Sequence, residues 1–164
     1  MEGVINSYTL SLISYVSIFS IWDFKTNKHY TNKWDKLTFH DKCLLIFLIL
    51  FHNVIFFAIY FTIFFIQLGI LTDIIYVKLY LGLVAGVLFH WITNNNKCIF
   101  TQWHNRLIGI SEDIGFRDCY TIIFNIQPDT YSNFGGDNGL GLRSKIYYSV
   151  IIFNIIYCII HIFK

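Results

Sequence analysis

The chain has 164 residues, of which 55% are hydrophobic and only 13% are charged. Soluble domains average roughly 45–50% apolar and about 25% charged residues, so this composition is typical of a membrane protein. The formal net charge of +2, without a basic patch, excludes any argument for nucleic-acid binding. The four cysteines form no CxxC pair and no zinc-ligand spacing, so no metal site is predicted.

The first apolar run, residues 4–22, is long enough to cross the hydrocarbon core of a bilayer, which takes ~20 helical residues. Serines dilute this run, and an interfacial helix is the alternative. No basic residue precedes it and no small-x-small cleavage site follows, so we expect it to stay in the mature protein. Residues 43–71 form the strongest hydrophobic run and predict a transmembrane helix.

A third span is predicted over residues 74–93, with Asp73 as its N-cap. The link at 72–73 is very short, which predicts that the second and third spans form an antiparallel hairpin. Residues 146–163 predict the last span. We therefore expect an all-α integral membrane helical bundle of about four transmembrane helices, with residues 1–164 forming a single membrane domain.

Orientation follows from the basic residues in the two polar loops. Residues 23–42 and residues 94–145 contain five lysines or arginines each, whereas the N-terminal tail and the 72–73 link contain none. The positive-inside rule makes both loops cytoplasmic and places the termini on the non-cytoplasmic side. The sequence does not indicate which membrane the protein occupies.

Two glycines in the third span predict a helix-packing face. Gly82, Gly86 and His90 follow one another at four-residue steps and therefore share one side of a helix. Glycines at this spacing allow a second helix to approach closely within a bilayer. We expect Gly82 and Gly86 to pack against another membrane helix, including one from a second copy in a homo-oligomer.

Polar residues inside the spans lie at matched depths. A rise of ~1.5 Å per helical residue puts one such residue from each span roughly 12–14 Å from the cytoplasmic boundary. Polar groups in hydrocarbon are costly unless they are paired, so these residues should face inward and meet. This predicted polar layer consists of Ser14, His52, His90 and Asn154, with Asn53 beside His52.

The simplest interpretation of this layer is a structural hydrogen-bond cluster that needs no cofactor. The alternative is a ligand site in which His52 and His90 bind a haem iron axially, as pairs of histidines do in helical bundles. A proton or quinone site and a small channel or transporter are further alternatives, although the spans contain no paired acidic residues, which counts against a proton-driven transporter. An enzyme is less expected, because Cys98 and His104 have no visible orienting carboxylate or oxyanion hole, and no catalytic residue is assigned.

A dense polar stretch follows the third span. Asn94–Asn96 and Thr101 are placed to cap that span and to start a short interfacial helix over residues 99–108. Arg106 would then lie at headgroup level, where it could contact anionic lipid. The stretch is defined by Asn94, Cys98, Thr101, Asn105 and Arg106.

Residues 98–107 (CIFTQWHNRL) resemble the Cys-Pro-Leu-Thr-x-x-Glu-Asn-x-Leu motif of a family of small multi-span bacterial membrane proteins of unknown function. In that family a Gly-Tyr/Phe segment, an interfacial stretch and a last span follow the motif, as Gly115-Phe116, 118–126 and 146–163 do here. The chain departs from the motif in having Ile99 for the proline and His104 for the acid. Residues 90–98 also resemble a stretch in small membrane proteins of large DNA viruses.

The resemblance implies a topology and a focal motif, and it implies no activity. Together with the composition, it leads us to expect a non-enzymatic membrane protein with a structural, interaction or lipid-contacting role. The expected partners are the lipid bilayer and another membrane helix or a second copy of the chain, and no nucleic acid is expected.

Overall fold

The computed structural model describes residues 2–94, 98–112, 114–117, 119–124 and 142–163, and over these residues the regular structure is entirely helical. The predicted all-α class is confirmed. The Gly-rich stretch 132–141, and much of the predicted loop 94–145, lies outside the described residues. The helices are α1 (Glu2–Thr26), α2 (Lys28–Lys33), a 3-10 turn (Trp34–Lys36), α3 (Phe39–Tyr60), α4 (Thr62–Gln67), α5 (Ile74–Thr93), α6 (Ile99–Ile108), α7 (Cys119–Ile123) and α8 (Leu142–Ile162).

The strongest apolar run forms α3 and α4, which are separated only by Phe61. The helix begins earlier than the run itself, because the Thr38 side chain accepts a hydrogen bond from the Asp41 amide and acts as the N-cap. Helix α4 ends before Gly69, whose φ of 67° is a left-handed conformation that glycine adopts without strain. The two helices thus occupy 39–67, displaced towards the N-terminus from the hydrophobic run 43–71.

Helix α5 follows the turn after Gly69 and packs against both α3 and α4. The Asp73 carboxylate accepts a hydrogen bond from the Ile75 amide at 2.9 Å, so the predicted N-cap is confirmed. At the other end, the Asn94 backbone N–H donates to the carbonyls of His90 and Trp91. Asn94 therefore closes α5, as the sequence predicts.

Within the described part of the chain, two helical stretches are long and apolar enough to cross a membrane, Phe39–Gln67 and Ile74–Thr93. The most apolar 18-residue segments of these two stretches have mean hydropathies of 2.5 and 1.7. Only 33% of the first segment and 17% of the second is buried. The core helix of a soluble domain with such composition would be mostly buried. The apolar part of α8, Tyr148–Ile162, is shorter.

The helices enclose two separate apolar cores. The larger core joins α3, α4, α5 and α8, and its centre is formed by Ile63, Val77, Val84 and Ile151. The smaller core joins α2, α3, α6 and the segment after α6, and it consists of Tyr30, Leu45, Ile49, Ile108 and Phe116. Helix α1 packs along α3 and also contacts α2 and α7. The smaller core brings α6, which carries Thr101, Asn105 and Arg106 of the polar stretch, next to the end of α1.

The predicted glycine face of α5 does not pack against another helix in the described part of the chain. Gly82 and Gly86 are exposed, and a Cβ atom added to either would meet nothing within 4 Å. The side of α5 that packs inward instead carries Val77, Tyr80 and Val84, which are larger and bury more apolar area.

Candidate functional site

A cluster of polar side chains is buried where α1, α2 and α6 meet. It consists of Asp23, Tyr30, His104, Asn105 and Arg117, and each of these residues is between 0% and 2% exposed. Burial of charged groups is costly unless they are paired and hydrogen-bonded. We call this set the polar cluster, and it is the most highly organised polar feature of the described chain.

Asp23 and Arg117 form a buried ion pair. Nη1 of Arg117 donates to Asp23 Oδ1 at 2.9 Å and to Thr26 Oγ1 at 3.2 Å, and Nη2 donates to the Thr121 carbonyl at 3.5 Å. Burial raises the pKa of Asp23 to about 6, although the Arg117 charge acts to lower it. The pair fixes the last turn of α1 to the segment between α6 and α7.

The Tyr30 hydroxyl lies between the acid and the imidazole of the cluster. Its oxygen is 2.9 Å from Asp23 Oδ2 and 2.6 Å from His104 Nε2. Burial, followed by the neighbouring Asp23 carboxylate, raises the pKa of Tyr30 well above its ordinary value. The phenol therefore keeps its proton at neutral pH and can supply one hydrogen bond.

His104 is oriented by the next residue. Its Nδ1 lies 2.9 Å from Asn105 Oδ1, while Asn105 Nδ2 donates to the carbonyls of Ser111 at 2.9 Å and Ile114 at 2.7 Å. Burial lowers the pKa of His104 to about 4. The two carbonyl acceptors fix the direction of the Asn105 amide, and that direction presents an acceptor to His104.

The local sequence explains how α6 supplies these groups. Thr101, His104, Asn105 and Ile108 follow helical spacing and form the buried face of α6. The helix ends at Gly109, whose φ of 71° is left-handed, and the turn that follows returns the chain towards Asn105. A side chain on Gly109 would also meet Lys33 Nζ at 2.8 Å. The lysine end can move aside, so the left-handed φ is the reason that favours glycine here.

The structure divides the predicted motif into a buried and an exposed part. The predicted helix over 99–108 is confirmed, but it begins after Cys98, and Thr101 lies inside it rather than at its start. Arg106 is exposed and pairs with Glu112, while Asn94 Nδ2 donates to Gln102 Oε1 at 3.2 Å. Cys98 is a half-buried free thiol. Asn95, Asn96 and the side chain of Cys119 lie outside the description.

The two histidines proposed to bind haem have separate neighbours. The His52 ring stacks on Phe116 with 3.8 Å between ring centroids. The His90 Nε2 atom accepts a hydrogen bond from the Ile99 amide at 3.1 Å and so fastens the end of α5 to the start of α6. These contacts engage each ring locally and give the haem alternative no support.

The structure also separates the residues of the predicted polar layer. Asn53 Nδ2 donates to Ser20 Oγ at 3.0 Å and to the Ile49 carbonyl at 3.1 Å. Asn154 Nδ2 donates to the Tyr80 hydroxyl at 3.1 Å, and that hydroxyl donates to the Ile59 carbonyl at 2.8 Å. Ser14 is exposed, contrary to expectation, because α1 turns Tyr15 and Ser20 inward. Two distinct polar contacts thus replace one layer.

Three members of the polar cluster were not singled out by the sequence. Asp23 directly follows the first apolar run, and Arg117 directly follows the Gly-Phe segment, so each occupies a marked position. Their pairing spans 94 residues, and no local pattern indicates it. Tyr30 lies in a stretch whose composition predicts only a polar loop.

Among the described residues, no group of three or more His, Cys, Asp or Glu side chains could hold a metal ion.

The arrangement can join segments and hold protons. The ion pair and the hydrogen bonds connect α1, α2 and α6 with the segment between α6 and α7 and with α7 itself, and the side chains involved are buried from solvent. Comparison of this chain with protein-family models, with curated proteins and with solved structures finds no match.

Proposed function

We propose that this chain is a small integral membrane protein with four transmembrane helices, which contacts lipid along its sides and associates through α5. The main support is the reversed polarity of its helices. Asn53 and Asn154 are 1% and 3% exposed, whereas Phe47 and Phe153 on the same two helices are 54% and 62% exposed. A soluble domain buries such aromatic side chains and exposes its amides, so the reversal fits helices that face lipid.

Helices α1 and α8 are the two further spans in this proposal. They have 25 and 21 residues, and a bilayer crossing takes ~20. Both carry large apolar side chains on their outer faces, each more than half exposed: Leu10, Ile13, Ile18 and Ile21 on α1, and Ile152, Phe153, Ile156 and Ile160 on α8. An apolar surface of this extent on all the long helices favours a lipid environment over water.

The proposed orientation places α2 and α6 on the cytoplasmic side. The five lysines at positions 25–42 provide the positive bias there, and both termini then lie on the opposite side. Arg117 contributes nothing to this bias, because its charge is buried against Asp23. Exposed Arg106 lies where lipid headgroups would be.

Association through α5 is the interaction role that we propose, with a second copy of the chain as the partner. Gly82 and Gly86 form a GxxxG pair on an apolar helix, and a Cβ added to either would meet no atom of the described residues within 4 Å. In a symmetric contact the two glycine faces would meet each other, so the backbones could approach closely without any other component.

Self-association can be measured by energy transfer between donor- and acceptor-labelled protein in liposomes. We expect transfer for the wild type that falls to the random-mixing level in a Gly82→Ile/Gly86→Ile variant. Phe47→Ile, a change at an exposed apolar site on α3, is the matched control and should keep the transfer. A wild type that mixes randomly, or a glycine variant that transfers normally, would exclude this interface.

A further inference from the structure

The hydrogen-bonding groups of the polar cluster determine how many protons it holds. The Asn105 amide nitrogen points at the carbonyls of Ser111 and Ile114, so its Oδ1 must face His104. An amide oxygen only accepts, and His104 Nδ1 must therefore carry a hydrogen. If the imidazole is neutral, its Nε2 has no hydrogen and can only accept.

The Tyr30 hydroxyl then faces two acceptors. Its oxygen is within hydrogen-bond distance of His104 Nε2 at 2.6 Å and of Asp23 Oδ2 at 2.9 Å. A hydroxyl has one hydrogen and can donate only one of these bonds. The second contact requires a further proton, located either on Asp23 or on His104. Without it, one of the two contacts would bring lone pairs together.

We propose that Asp23, Tyr30 and His104 form a proton-binding site, in which one dissociable proton is shared across the Tyr30 hydroxyl. In one form Asp23 is a neutral acid that donates to Tyr30, and Tyr30 donates to His104. In the other form His104 is an imidazolium that donates to Tyr30, and Tyr30 donates to the Asp23 carboxylate. Moving both bridging hydrogens by one position interconverts the forms, and release of the proton leaves a carboxylate and a neutral imidazole.

The groups around the site set its charge. Arg117 faces Asp23 from the segment after α6 and favours the carboxylate. His29 of α2 lies near enough to His104 to lower the pKa of that imidazole. His52 of α3 contacts the same Phe116 ring as His104. Burial of Asp23 favours the acid form, and its raised pKa places proton release near neutral pH.

This site would act as a pH-sensitive joint between helices. Tyr30 belongs to α2, His104 to α6 and Asp23 to α1, so loss of the proton removes one of the two hydrogen bonds that connect these three helices. The inference does not depend on the proposed self-association, since neither Gly82 nor Gly86 contributes to the cluster.

The full chain in detergent micelles allows the proton to be located directly. Infrared difference spectra report the carbonyl band of a protonated carboxylic acid, and the loss of this band in Asp23→Asn assigns it. Nitrogen-15 NMR of labelled histidine reports the protonation of His104. Over a titration from about pH 8 to about pH 4, we expect both signals to change with one common midpoint, as interacting sites do.

Substitutions separate a shared proton from two independent groups. In His104→Phe, Tyr30 is free to donate to Asp23, so we expect the proton affinity of Asp23 to fall at least ~10-fold, which is one pH unit. His40→Phe, a change of an exposed histidine at the start of α3, is the control and should leave the midpoint unchanged. In Tyr30→Phe, the Asp23 and His104 signals should acquire different midpoints.

Two results would overturn the proposal. One is a wild type in which the two signals have unrelated midpoints or in which neither group binds a proton across this range. The other is an Asp23 midpoint that does not change in His104→Phe. Circular dichroism shows whether His104→Phe keeps its helices. If it does not fold, Tyr30→Phe decides the question. A midpoint that Asp23 and His104 still have in common without the Tyr30 hydroxyl would contradict a proton shared through that hydroxyl.

Discussion

The Tyr30 hydroxyl lies 2.6 Å from Nε2 of His104, although the two residues are 74 positions apart in the chain. This contact joins α2, in the first polar segment (residues 23–42), to α6, in the second polar segment (residues 94–145). The Asp23–Arg117 ion pair joins the same two segments at 2.9 Å. The described parts of the two polar segments therefore pack against each other rather than forming two independent loops.

The ion pair predicts a large stability difference between two arginines. Arg117→Met leaves the Asp23 charge buried without its partner, and we expect a loss of ~3–5 kcal/mol in the free energy of unfolding. Arg106→Met removes a pair that is exposed to solvent, so little change is expected. Denaturation in mixed micelles measures both variants. Equal losses for the two substitutions would show that the buried pair does not hold the cluster together.

Stability should depend on pH in opposite ways for two single variants. Burial raises the pKa of Asp23 from 3.8 to about 6, so its contribution to stability is fully present below its unfolded value and is lost as pH rises through about 6. Burial lowers the pKa of His104 from 6.5 to about 4, so its contribution is present above its unfolded value and is lost as pH falls through about 4.

The two contributions oppose each other in the wild type, which should show little net pH dependence between these values. Asp23→Asn should become less stable as pH falls, by ~2–3 kcal/mol over two pH units. His104→Phe should become less stable as pH rises, by about half as much, because we expect this substitution also to lower the pKa of Asp23 by about one unit. Thermal denaturation in buffered detergent measures both slopes. Slopes of the same sign in the two variants would contradict these assignments.

The sequence predicted the apolar helices and their caps better than the polar site. Hydrophobic runs and the Asp73 cap are local signals. The cap appears where the local rule places it, and each apolar run forms a helix, although the strongest run is displaced by four residues towards the N-terminus. Helix rotation is not local. Matched depth suggested that Ser14 meets His52, but depth does not specify which side of α1 faces α3. The Asp23–Arg117 pair depends on the tertiary arrangement alone, and one sequence contains no signal for it.

The polar contact between α5 and α8 should contribute modestly to stability. Asn154→Leu preserves the approximate size of the side chain and removes the hydrogen bond to the Tyr80 hydroxyl, which still donates to Ile59. We expect a loss of ~1 kcal/mol, as is usual for hydrogen bonds between membrane helices. Unfolding in mixed micelles measures it, with exposed Ile152→Leu as the control. A gain in stability would show that the amide is not needed for packing.

Gly109 should tolerate substitution less well than Gly86. Gly109→Ala introduces a side chain at a φ of 71°, where an L residue is strained, so we expect a loss of ~1–2 kcal/mol. Gly86→Ala is the matched control, because a Cβ there meets nothing within 4 Å. A melting temperature that falls equally for both would mean that the end of α6 is not held in the conformation described.

The central claim is that the apolar helices cross a membrane and that the polar cluster lies on one side of it. It is tested by labelling single cysteines in sealed vesicles of known orientation with an impermeant thiol reagent, in a chain whose native cysteines are replaced. Lys28, Thr72 and Arg106 are exposed positions at the cluster, at the turn before α5 and on α6. We predict that cysteines at Lys28 and Arg106 are labelled only from the cytoplasmic side and that a cysteine at Thr72 is labelled only from the opposite side. Labelling of all three from the same side would contradict the account.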